Sequence, residues 1–430
     1  MKSFGIATLV LLTSATCAGA AMAADAPVLG QGSYGQYLVD QAAADHPGIS
    51  AIAIYAAPAE GKPAVAVAAR GTGIGAAAPA AAEAVEKSGR GQFGTGKAHH
   101  LDAMLPLADM SGKPAGVLRL DFGASGKSEA ALKAEAVAIR NALSRRISYT
   151  ANLLQPVSYD PNVPVHSYAQ HLVDRALSRH RDVLIMAIHA TTPKNADPEI
   201  LASNIGRIGK KADDDDMRVV RDGKTNLEVN KDLQRYEVEL PLDDVSGVRI
   251  GALGVVFPLD AHTDQKAKHA EAIRIRDEIS GRILTPANLV EPWPYDPHYS
   301  DDTYAQALVD RTLAAHSDIQ VLALHVTPPN GKANIILASN IGRIGKPADS
   351  DDMGVVNTGK PAMAVNDKGN RFEAELALRD RSGKQIGAVS VVYGFAKGDD
   401  KMALERKAQT IADELSSRIP GAAALFAKAR

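Results

Sequence analysis

Ile200-Leu-Ala-Ser-Asn-Ile-Gly-Arg-Ile-Gly-Lys210 returns unchanged as Ile336 to Lys346, 136 residues further along the chain. Around this string the match runs without a gap from 168–283 onto 304–419, with about half the positions identical. A shift of 134 lays a weaker copy over the front, setting Tyr34 on Tyr168, His46 on His180 and Ile74-Gly75 on Ile208-Gly209. Self-similarity at a fixed period marks one structural unit used repeatedly, here a module of about 120 residues present three times. The copies cover 33–150, 167–285 and 303–420. The second and third keep their polar motifs and the first has lost them.

The second copy shows what one module is. Ser167 can cap a helix starting at Tyr168, where Tyr168, Leu172, Val173, Ala176 and Leu177 make one apolar face down to His180. Apolar, β-branched residues over 183–189 read as a strand, and 199–204 as a second strand paired with it in a hairpin. A glycine-punctuated loop follows, with a short helix near 217–221 after the acidic run 213–216. Alternation over 235–242, a turn at 244–247 and the apolar stretch 249–257 give further strands, and 267–283 closes the module as a helix. The fold class is therefore α+β, an antiparallel sheet flanked by N- and C-terminal helices, three times over. Proline-rich joints at 154–164 and 290–297 share Tyr-Asp-Pro, at Tyr159 and Tyr295, and are expected to act as stiff spacers.

Compartment and composition narrow the function. Lys2, the apolar stretch 4–12 and Ala21-Met22-Ala23 read as a cleavable secretory signal over 1–23. The lone cysteine, Cys17, lies inside it, so the mature chain has no disulfide and is expected to be periplasmic or secreted. No later stretch approaches the ~20 apolar residues of a membrane span. An apolar share of 45% beside 23% charged residues is that of an ordinary globular protein. A net charge of −2 with no basic cluster argues against nucleic acid as a partner. Gly71-Thr-Gly-Ile-Gly75 imitates a dinucleotide fingerprint, but the repeat places it in a loop of another unit, and no cofactor motif is read.

The element order, the Leu201-Ala-Ser-Asn-Ile-Gly-Arg-Ile-Gly-Lys210 string with its twin, and the strand pair across Asp244–Gly247 and Asp380–Gly383 resemble the extracytoplasmic PAS-like sensor domains called Cache or PDC domains. The resemblance implies a small-molecule ligand, often an amino acid or carboxylate, held on one face of the sheet. Members usually sit on membrane receptors; three modules without an anchor depart from that pattern, which leaves transmembrane signalling in its usual form open and a separate membrane-bound partner as one way to read the bound state.

Alternation places Ile185, Ala187 and His189 on one sheet face, with Met186 and Ile188 on the other. His189 and His325 thus become candidate ligand-binding groups, joined by Ser203, Asn204, Ser339 and Asn340 at the start of the glycine loop. Arg207, Lys210, Arg343 and Lys346 suit an anionic metabolite. For the histidine the bland reading is a strand cap, for Ser-Asn a turn fixed by local backbone bonds, and for the cations a solvated surface. The acidic runs 213–216 and 349–352 read as calcium ligands or, more simply, as solvated helix starts. The function expected is an exported binding or sensing protein without an output domain. The alternatives are a hydrolase using histidine, serine and aspartate, and a metal-binding or scaffolding protein.

Overall fold

The computed structural model describes residues 27–71, 73–95, 100–124, 126–329, 331 and 333–429. The signal read at 1–23 lies outside the described residues. The first module runs α1 (Tyr34–Asp45), β1 (Ile49–Ala56), β2 (Val65–Arg70), α2 (Ala80–Ser88), β3 (Gln92–Thr95), β4 (Leu101–Ala108), β5 (Pro114–Phe122) and α3 (Glu129–Ser144). The second runs α4 (Tyr168–Arg179), β6 (Ile185–Ala190), β7 (Glu199–Ser203), α5 (Asp214–Asp222), β8 (Asn226–Asn230), β9 (Arg235–Asp243), β10 (Arg249–Pro258) and α6 (Gln265–Ser280). After the joint helix α7 (Pro286–Leu289), the third has α8 (Tyr304–Ala315), β11 (Ile319–Val326), β12 (Ile335–Ser339), α9 (Ser350–Thr358) and β13 (Ala362–Val365). It ends with β14 (Arg371–Arg379), β15 (Gln385–Gly394), α10 (Lys401–Arg418) and α11 (Ala422–Leu425).

Each module holds one five-stranded sheet with the same order, β2-β1-β5-β4-β3 and its two counterparts, and every pairing is antiparallel. The expected hairpin is the pair β6–β7. The least legible strand is β8, whose exposed residues carry little apolar pattern.

The sheet is covered on both faces. Met186 and Ile188 enter an apolar core with Leu172 and Val173 of α4 and Ile275 and Ile279 of α6. Burying side chains of this size stabilises by about 1.5–3 kcal/mol each. The opposite face, bearing Ile185, Ala187 and His189, lies under α5. Asp213 caps α5 in a reciprocal capping box with Asp216, and Gly223, at φ 67°, ends it in the left-handed conformation glycine tolerates. The acidic run therefore starts a helix, as its simpler reading had it, but not a fully solvated one: Asp216 and its counterpart Asp352 are buried.

The joints are not bare spacers. Residues 150–154 form a 3₁₀ turn and 286–289 a helical one; their leucines enter the core of the module before them, and their asparagines bond to the module after. Tyr34 donates its hydroxyl to the carbonyl of Asn204 at 2.6 Å, and Tyr168 repeats this toward Asn340 at 2.8 Å. Asn152 donates to the carbonyl of Ile205, and Asn288 to that of Ile341. The same contacts at both joints mean that consecutive modules meet in the same way.

Candidate functional site

Three buried side chains converge on the α5-covered face of the second module: His189 from β6, Asp216 from the first turn of α5, and Glu239 from β9. Nδ1 of His189 stands 2.5 Å from Oδ1 of Asp216, an ion pair when the ring is protonated. Burial opposes charge on the ring, but Asp216, with Glu239 and Asp213, outweighs it and holds His189 above the ordinary imidazole range. Burial pushes Glu239 up to about 7, helped by the Asp216 charge and opposed by a hydrogen bond from Asn226. Glu237, one step along the same face, is likewise raised to about 7, first by burial and then by Glu228.

These groups wall a cavity of about 310 Å³. Ile185, Ala187 and Val256 form its apolar floor, Asp216, Glu237 and Glu239 its acidic side, and Lys210 and Lys211 stand among the residues that line it. Ser148 and Tyr149, from the joint with the first module, complete the lining. Of the residues expected from the sequence, His189, Ser203, Arg207 and Lys210 line this space and Asn204 does not. Ser203 Oγ accepts from the backbone N–H of Ile205, the local turn bond of its simpler reading.

The Asn and Arg positions turn out to belong to the joint. Asn204 accepts from the N–H of Met186 and donates to the carbonyls of Leu184 and, at 3.4 Å, of Arg145 in the preceding module. Asn340 repeats this with Leu322, Gln320 and Gly281. With both amide N–H groups of each engaged, no donor is left for a ligand. Arg207 donates to Gln155 and Tyr149, while Arg343 holds Glu291 through both Nε and Nη2. The Lys210 ammonium lies 5.8 Å from the Tyr159 ring centre. Gly206 and Gly342 sit so close to Tyr34 and Tyr168 that a Cβ would come within 2.6 Å of the ring. The repeated Ser-Asn-Ile-Gly-Arg string is thus chiefly the receiving half of a joint. The first module, which receives no preceding module among the described residues, has Ala69-Arg70 at the Ser-Asn position. Tyr168→Phe should accordingly cost about 1–2 kcal/mol in urea unfolding, because the carbonyl of Asn340 loses a buried donor, and leave the second module's cavity chemistry unchanged.

The third module repeats the trio as His325, Asp352 and Glu375, all buried, with His325 Nδ1 3.1 Å from Asp352. It differs in what fills the space: Ser390 stands where the second module has Gly254, and its hydroxyl lies 3.3 Å from His325 Nε2. Ser339 repeats the turn bond to Ile341, and Lys346 follows the joint loop. In the first module sheet register places Tyr55 and Met104, and the repeat places Ala82 on α2, at the trio's positions, packed in one apolar cluster. The sequence reading takes Asp216 and Asp352 only as calcium ligands or helix starts and misses the glutamates, because each is read inside its own element. The repeat that exposed the histidines carries them too, at Asp216 and Asp352, Glu239 and Glu375.

Ser390, His325 and Asp352 stand in the order that nucleophilic catalysis uses. Ser390 is only 4% exposed, however, and neither it nor His325 lines the groove described below for that module. Ser203 makes no described hydrogen bond to His189. Among the described residues no group of three or more His, Cys, Asp or Glu is arranged to hold a metal ion, and no helix is long and apolar enough to cross a membrane.

No family model matches the chain, and no curated protein matches it. Solved structures share parts of it. The GAF domain of A. aeolicus nlh2 in an inactive state is 13% identical, with 27% of this chain and 85% of that one covered at a TM-score of 0.23. The inducer-binding domain of PobR from Acinetobacter, in complex with 3-hydroxybenzoic acid, is 7% identical over 27% and 97%, at 0.18. PelD from Pseudomonas aeruginosa is 16% identical over 56% and 74%, at 0.22. Likenesses of this size do not assign a family.

Proposed function

We propose that this chain is an exported binding protein of Cache-like modules whose second module receives a small polar metabolite. The cavity of about 310 Å³ walled by His189, Asp216 and Glu239 carries this reading. Its size suits a metabolite, and its lining pairs an apolar floor with convergent polar groups, the usual constitution of a binding site. An anionic group alone suits it poorly, because Asp216, Glu237 and Glu239 would repel one placed deep in the cavity. A zwitterion of amino-acid type fits better, its ammonium toward those carboxyls and its carboxylate toward Lys210 and Lys211. The export signal read at 1–23 supports a periplasmic or secreted location, and a membrane-bound partner would report the bound state.

A thermal-shift series tests this. Small amino acids should raise the melting temperature, with about 2.7 kcal/mol of stabilisation at a hundredfold excess over Kd, while the matching acids lacking the amino group should not. Glu239→Gln and His189→Ala should each remove the shift. Persistence of the shift in both variants, or equal shifts from the simple acids, would refute the site.

A further inference from the structure

The third module carries a second opening that the trio does not explain. Between α9 and the strands β13 and β14 lies a groove of about 380 Å³. Two residues beside it differ from the second module. Gly354 stands where α5 has Arg218, and a Cβ there would meet nothing within 4 Å. Ala362 stands where Asn226 donates to Glu239, so the corresponding Glu375 loses that donor. Glu375 is 7% exposed, lines the groove, and has its Oε2 buried without a hydrogen-bond partner.

The walls state what would satisfy it. Val355, Ala362 and Met363 offer apolar surface, while Glu373, Glu375 and Asp351 face one cation, Lys360. A buried carboxyl offered no donor takes up a proton, here shared with Asp352, and a positive charge that reaches it would displace that proton. We propose that this groove binds an organic cation, a primary ammonium on an apolar body, with the ammonium donating to Glu375. The site is separate from the cavity in the second module and does not depend on that reading.

Binding is proton-linked. Burial, then the Asp352 charge and the hydrogen bond the protonated acid makes to Asp352, raise Glu375 to about 9, so the empty groove holds it protonated at neutral pH. The groups facing it are Asp349, Asp351 and Asp352 from α9, His325 from β11, Glu373 on its own strand and Lys360 ahead of β13. An arriving ammonium favours the carboxylate, and the displaced proton leaves to solvent. Affinity therefore rises with pH up to about 9.

Calorimetric titration of the whole chain with 2-phenylethylamine tests this, in two buffers of different ionisation enthalpy. The expected result is release of about one proton per amine at pH 7 and a rise in affinity of up to about tenfold per pH unit toward pH 9. Gly354→Arg, which restores the second module's residue, should weaken binding at least about tenfold, and Glu375→Gln should abolish the proton release. His189→Ala should leave both intact, which separates this site from the other. Equal binding of 2-phenylethanol, no proton release, no detectable binding, or full affinity in Gly354→Arg would each overturn the proposal.

Discussion

Gly251→Ala should unfold the second module's sheet, at a cost above about 4 kcal/mol, the range reserved for gross steric conflict. An ideal Cβ at this position would lie 1.9 Å from the carbonyl oxygen of His189 and 2.9 Å from Cα of Ala190. Both are backbone atoms of the paired strand, so no side-chain rotation relieves the clash and the strands must separate. Gly387 meets the carbonyl of His325 at 2.0 Å, and Gly116 that of Tyr55 at 2.2 Å, so every module has the same requirement. Differential scanning calorimetry should show the second module's transition lost or displaced far downward, together with ligand binding in its cavity. Gly48→Ala, where a Cβ would meet nothing within 4 Å, should stay within about 0.5 kcal/mol of the parent. A Gly251→Ala protein as stable as the Gly48→Ala one would mean that the two strands do not approach as described.

The second large effect is a loss of stability as pH rises, opposite to the usual carboxylate behaviour. Glu239 titrates near 4.5 in the unfolded chain and at about 7 when folded. Between those values the folded state holds a proton that the unfolded state has released, so stability falls as pH rises through this window. His189 acts in the same direction: its raised value means that the stability of its pairing with Asp216 is complete below its unfolded value and lost above its folded one. The groups facing Glu239 are Asp213 and Asp216 from α5, His189 from β6 and Glu237 beside it. A shift of this size corresponds to on the order of 3 kcal/mol for Glu239 alone. Glu375, raised to about 9, extends the decline in the third module to higher pH. Unfolding at pH 5, 7 and 9 should therefore show the second module weakening by pH 7 and the third continuing to weaken beyond it. Glu239→Gln should lessen the first decline, leaving the share of Glu237 and His189, and Glu375→Gln should lessen the second. Stability that instead rises from pH 5 to 7 would contradict the buried, donor-poor setting of these carboxyls.

Much of this architecture was legible in one dimension because it is periodic. The repeat counted the modules, and alternation in β6 placed His189 opposite Met186 and Ile188. Helix capping was readable as well: Ser167 accepts from the N–H of Gln170 as its position before an amphipathic run requires. Each of these signals is local, spanning a turn of helix or a few strand residues. The division of duties among the polar residues is not local. Asn204 and Arg207 follow Ser203 directly, and nothing in their spacing distinguishes a joint from a binding loop.

What the sequence determined alone is a threefold α+β chain with two polar copies and one apolar copy. Which polar groups wall a cavity and which fasten modules together was decided only by tertiary packing. Tyr34 meets Asn204 across 170 residues, and His189, Asp216 and Glu239 come from three separate elements. Hydrophobic periodicity records which face of an element is buried. It carries no trace of the partner brought against that face, because the partner is set by how whole sheets, helices and neighbouring modules close-pack.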